Sequence, residues 1–164
     1  MPASALPPPP EPDHTVHYHG DRLVAEESLA YLVRQLYQSL QRTVDREMSP
    51  LDLTAMQWRP LALIAMNRAD NPVELARHAG MDTGAMTRAL DRLEAKGLVR
   101  RLRCAHDRRM VRLELTDEGR VQAQRIPYAL ANAQNLHLQD VAPEELAGFL
   151  QMIRRMLANG APHG

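Results

Sequence analysis

Between Asn71 and Gly97 the chain carries start and stop signals for two short helices set almost back to back. Asn71, with Pro72 and Glu74 behind it, reads as cap, first turn and third position of one helix, and Gly80 ends it. Asp82 caps the next, and Gly97 ends that one in the left-handed conformation glycine adopts most cheaply. The second helix has a buried edge of Met86, Leu90 and Leu93, at spacings of four and three. Two β-like runs follow, 98–103 and 110–115. In the second, Val111, Leu113 and Leu115 alternate with Met110, Arg112 and Glu114. A tight helix pair followed by an arginine-rich hairpin is the layout of a winged helix-turn-helix, which places one helix in the DNA major groove and the hairpin beside it.

The chain of 164 residues has zero formal net charge, but the charge is unevenly spread. From Arg88 to Arg112 there are nine basic and three acidic residues, a local excess of six, so the remainder is correspondingly acidic. A basic patch on an acidic body suits a polyanion, because displaced counterions supply much of the affinity. A solvated charged face is the alternative.

The flanks read as helical. Residues 1–20 hold six of the twelve prolines and three of the seven histidines and are expected to form a flexible arm. His14, His17 and His19 have no acidic or cysteine partner at a useful spacing, so no metal or other cofactor is expected. From Leu29, the positions Leu32, Val33, Leu36, Leu40 and Val44 repeat at helical spacing and predict a helix of about 25 residues that stops at Pro50. Thr54 and Gln57 form a capping box for a helix continuing through Leu61 and Ile64. Pro60 lies within it and predicts a kink or irregular turn near Trp58. Thr116 caps a long helix to about Gln139, kinked near Pro127, and Pro143 opens a last one bearing Leu146, Phe149, Leu150, Ile153 and Leu157 on one face.

At the start of the 83–96 helix the side chains are small, which allows its backbone close to base edges. Thr83, Gly84, Ala85, Thr87, Arg88 and Arg92 are the candidate DNA contacts, Arg88 being suited to a bidentate bond with guanine. The competing reading of Arg88 is a surface arginine paired with Asp91 or Glu94. At the hairpin tip, Asp107 can orient one guanidinium of Arg108 and Arg109 while the other enters a minor groove.

Several segments together resemble the MarR family (multiple antibiotic resistance regulators), especially its SlyA-like members. They are Leu53-Thr54 with Gln57-Trp58, Glu74-Leu75-Ala76, Arg88 to Glu94, Lys96-Gly97-Leu98-Val99, Asp107-Arg108-Arg109 and Leu115-Thr116-Asp117-Glu118-Gly119. The resemblance spans about Ser28 to Leu157 and implies a mainly α fold with a small two- or three-stranded β wing. It further implies a homodimer, with the helices of 21–50 and 117–160 forming the dimerisation region and 51–116 the DNA-binding domain. Each subunit would then read half of a palindromic operator in double-stranded DNA. The family motif aspartate falls on Asp107, the wing arginines on Arg108 and Arg109, and the recognition-helix contacts on Thr83, Gly84, Ala85, Thr87 and Arg88. The family often answers to small phenolic or aromatic carboxylate ligands. Here Tyr31, Tyr37 and Trp58 could supply aromatic walls and Arg34 a cation for such an effector, although core packing accounts for Trp58 and Tyr31 almost as well.

The expected function is a cytoplasmic, ligand-responsive repressor. A ligand-independent DNA-binding or partner-binding architectural protein is the alternative. No apolar run approaches the roughly 18 to 20 residues that span a bilayer. Cys104 has no second cysteine to pair with, and Cys104 with His106 lacks an orienting group, so neither a disulfide nor an enzyme is expected.

Overall fold

The computed structural model describes residues 15–103 and 111–161. Its elements are α1 (Leu29–Met48), α2 (Ala55–Ala65), α3 (Pro72–Ala79), α4 (Thr83–Ala95), β1 (Val99–Arg103), β2 (Val111–Leu115), α5 (Asp117–His137) and α6 (Pro143–Asn159). The class is the one expected, mainly α with a two-stranded antiparallel wing. Cys104, His106, Asp107, Arg108 and Arg109 lie outside the described residues, as does His14. The chain divides into two compact units, residues 1–39 and residues 40–164, with the boundary inside α1.

In the first unit the apolar positions Leu29, Leu32, Val33 and Leu36 are all exposed. Ahead of them, the Tyr18 hydroxyl accepts a hydrogen bond of 2.9 Å from the Leu29 N–H, one of the donors that the first turn of α1 leaves unused.

The second unit is built around α2. Leu61, Leu75, Met86, Leu90, Leu93 and Ile126 are fully buried, so α2, α3, α4 and the first half of α5 share one core. At its amino-terminal edge α1 contributes Val44 and Met48. That helix is shorter than the 25 residues anticipated. After Met48 the chain tightens into a 3-10 turn, Ser49–Leu51, which holds Pro50, and Asp52 then takes a left-handed conformation with φ of 52°.

Helix α2 runs without interruption through Pro60, where an irregular turn was expected near Trp58. Proline removes the donor that the Met56 carbonyl would use. Met56 is exposed, so water can serve that carbonyl, and the Pro60 ring gains full burial in the core. The Gln57 side chain accepts from the Thr54 N–H at 3.1 Å and so caps the helix start.

Local chemistry accounts for the other boundaries. Asn71 accepts from the Glu74 N–H at 3.0 Å, Asp82 from the Ala85 N–H at 2.8 Å and Thr116 from the Gly119 N–H at 2.9 Å. Gly80 ends α3 at φ of 63°. In the wing, Val99 pairs with Leu115 and Arg101 with Leu113; Leu113 and Leu115 point into the core. The Leu113 N–H also donates to the Asp70 carbonyl at 2.7 Å, which ties the α2–α3 connection to the edge of β2.

At the far end, α5 turns Ala123, Ile126, Ala129 and Ala133 inward, whereas α6 buries none of its residues. Phe149, Leu150, Met152 and Leu157 all stand exposed on α6.

Candidate nucleic-acid interface

Helix α4 sorts its residues into two sides. Ala85, Met86, Ala89, Leu90 and Leu93 are buried, and Thr83, Thr87, Arg88, Asp91 and Arg92 are exposed. The buried row packs α4 against α2 and α3, so the orientation of the exposed row follows from core packing. Gly84 lies at the boundary. A Cβ there would stand 3.2 Å from the Asp82 carboxylate and 3.4 Å from the Arg88 guanidinium, both of them side-chain ends.

Ala85 is the exception among the recognition-helix residues read from the sequence. Its side chain is 6% exposed, one turn from Ala89 on the inward row. It therefore acts as a packing residue, and its N–H is engaged by Asp82. Thr87 donates its hydroxyl proton to the Thr83 carbonyl at 2.9 Å, which orients its oxygen and methyl group.

The basic residues counted in the sequence are not equivalent. Lys96 reaches the Asp52 carboxylate at 3.0 Å and also donates to the Asp52 carbonyl and, at 3.3 Å, to Gln57. Arg100 pairs with Glu114 across the two strands at 2.9 Å, and Arg112 with Asp70 at 2.7 Å. Arg101, on β1, sends one guanidinium nitrogen to Asp91 and another to Glu94, both at 2.6 Å and both on α4. Burial acts to lower the Arg101 pKa, but the hydrogen bond to Asp91 and the charges of both carboxylates outweigh it and raise it above the ordinary arginine value. Arg88 and Arg92, by contrast, form no ion pair among the described residues. Asp91, the carboxylate three residues along α4 from Arg88, is held by Arg101. A pair of exposed cations beside small side chains on a rigid helix is suited to phosphate and base-edge contacts.

The four residues read as effector contacts divide between the units. In the first, Arg34 lies over the Tyr31 ring at 5.4 Å, and the Tyr31 hydroxyl accepts from Gln35 at 3.1 Å; Tyr37 is exposed. In the second, Trp58 borders a largely apolar cavity of about 440 Å³ between α2, the end of α3 and α5. Arg59 and His78 also line it, and the Arg59 guanidinium sits 5.4 Å from the Trp58 ring centre. The buried Trp58 indole N–H meets no acceptor among the described residues. Neither Arg59 nor His78 was singled out from the sequence. Arg59 follows Trp58 directly on the same helix, but nothing local shows that residues 58, 78 and 126 converge.

Comparison with known proteins agrees with this fold. Residues 51–110 match the sequence pattern of the MarR family. The chain is 33% identical over 132 residues to the multiple antibiotic resistance protein MarR of Escherichia coli K12, covering 79% of this chain and 90% of that protein. A MarR mutant from E. coli, crystallised in complex with operator DNA, superposes with a TM-score of 0.67 at 32% identity, covering 79% of this chain and 93% of the other. The transcriptional repressor CouR bound to a 23-mer DNA duplex gives 0.68 at 26% identity, covering 82% and 96%.

Proposed function

The chain belongs to the MarR family of DNA-binding transcription regulators, which are not enzymes, and from this we propose that it acts as a homodimeric repressor released from a palindromic operator by a small aromatic effector. The observation that carries the reading is the outward row of α4, where Arg88 and Arg92 stand exposed without carboxylate partners among the described residues. Thr83, Gly84 and Thr87 would approach base edges beside them, and Asp107, Arg108 and Arg109 would serve the wing.

Dimerisation is supported by apolar surface that the single chain leaves uncovered. Leu29, Leu32, Val33 and Leu36 on α1 and Phe149, Leu150 and Leu157 on α6 are exposed at helical spacing, as expected for faces that a second copy would cover. Two recognition helices would have to sit about 34 to 36 Å apart to enter successive major grooves. Phe149→Asp is expected to convert the protein to a monomer in sedimentation and to abolish tight operator binding. A variant that remains dimeric would remove α6 from the interface.

The cavity beside Trp58 supports an effector of the aromatic carboxylate class. Its apolar walls suit a ring, and Arg59 suits a carboxylate or phenolate. Tyr31, Tyr37 and Arg34, the other effector contacts expected from the sequence, lie in the first unit. An effector needs only to prefer the spacing that does not fit DNA. In a panel of aromatic acids, at least one compound is expected to raise the melting temperature and release DNA, with Trp58→Phe weakening both effects roughly tenfold. If the whole panel left both readouts unchanged, the ligand-independent architectural role would be favoured.

A further inference from the structure

We infer that Arg101 is a positioning residue for DNA binding: by holding Asp91 and Glu94 it keeps Arg88 free to meet the nucleic acid. The inference rests on the DNA-reading role of α4 and assigns a task to a residue of β1 that faces the helix.

The geometry is specific. Asp91 stands three residues after Arg88 on α4, the spacing at which opposite charges on a helix meet. Glu94 stands three residues after Asp91, so the two carboxylates repel each other unless a cation lies between them. Arg101 supplies it from outside the helix, with separate guanidinium nitrogens 2.6 Å from each carboxylate. The planar fork of arginine can serve two carboxylates at once, which the point charge of lysine does less well. Arg101 is also the least exposed of the three, with 29% of its side chain accessible against 56% for Asp91 and 41% for Glu94, so the pair is held from the protein side.

Two consequences follow for an approaching duplex. With Arg101 in place, the carboxylates are neutralised and Arg88 makes no ion pair among the described residues. Without it, Asp91 would draw Arg88 into a bond along the helix, and both negative charges would repel the phosphates. The same ion pairs could instead act only as a brace fixing the angle between wing and helix, and the two roles predict different outcomes when the bonds are broken from opposite ends.

The test uses the full chain and a duplex recovered by selection from a randomised pool with the wild-type protein. Affinity is measured over a range of salt concentrations. Arg101→Gln is expected to bind roughly tenfold more weakly, with a salt dependence reduced by about one phosphate contact. Asp91→Asn with Glu94→Gln breaks the same bonds without exposing any charge, and it is expected to keep wild-type affinity or bind more tightly. The triple variant is expected to recover from the Arg101→Gln defect. If the double variant lost as much affinity as Arg101→Gln, or the triple failed to recover, the contact would be a brace and the inference would fall. Unchanged binding by Arg101→Gln would overturn it as well. Thermal melting identifies a variant that unfolds, and in that case the double variant alone decides between the roles. Failure of the wild-type chain to select any duplex would strike the DNA-binding reading itself and is seen before any variant is made.

Discussion

Gly119→Ala is expected to destabilise the protein by about 2 to 4 kcal/mol, in the upper range for overpacking a filled site. A Cβ at this position would lie 1.9 Å from the Leu98 carbonyl oxygen and 2.8 Å from its carbon. These are backbone atoms, and the oxygen is further held by a 3.1 Å hydrogen bond from the Thr116 N–H. Thr116 also donates its hydroxyl to the Gly97 carbonyl at 2.6 Å, so neither side of the junction can move alone. The helix propensity gained by replacing glycine with alanine is about 1 kcal/mol at most and does not offset such a clash. The junction sets where α5 leaves the wing, so relief of the clash by separating the two segments would also disturb Leu98 and Leu115 in the core. Urea denaturation measures the effect, and a change below about 0.5 kcal/mol, the range of neutral surface substitutions, would show that the contact is not rigid.

Removing both free arginines of α4 is expected to produce a large loss of DNA binding, with the fold left intact. A good bidentate contact to a base contributes about 1 to 3 kcal/mol of discrimination, and each neutralised phosphate adds close to one unit of salt slope. Arg88→Ala with Arg92→Ala is therefore expected to weaken binding by roughly two orders of magnitude and to flatten the salt dependence by about two contacts. Both side chains are exposed and make no ion pair among the described residues, so the melting temperature should stay near that of the wild type. A titration across salt concentrations separates the two losses. If affinity and slope were unchanged, α4 would not be the reading element. Arg88→Ala alone is expected to relax base preference in a selection experiment.

The elements of this chain were legible where local chemistry decides them. Caps at Asn71, Asp82 and Thr116 placed helix starts correctly, because a side-chain acceptor and the first free N–H groups are neighbours in sequence. Helical periodicity identified the inward row Met86, Leu90 and Leu93, and alternation identified Leu113 and Leu115. The combination of motifs was enough to indicate the family. Less was legible where a partner distant in sequence decides the outcome. Ala85 read as outward because a small residue carries little hydrophobic signal, yet α2 and α3 close over it. Pro60 was expected to disturb α2, and burial of its ring in the core accompanies an uninterrupted helix instead.

The charge patch shows the same division. Sequence alone determined that nine cations crowd the stretch from Arg88 to Arg112, and that this part of the chain suits DNA. Only the tertiary structure decided which of them are free. Among the described residues, Lys96, Arg100, Arg101 and Arg112 are occupied by carboxylates seven to forty-four residues away along the chain, while Arg88 and Arg92 are left to face outward. Charge is carried by each residue from the start, but its availability depends on distance to an opposite charge, and that distance is set by the fold.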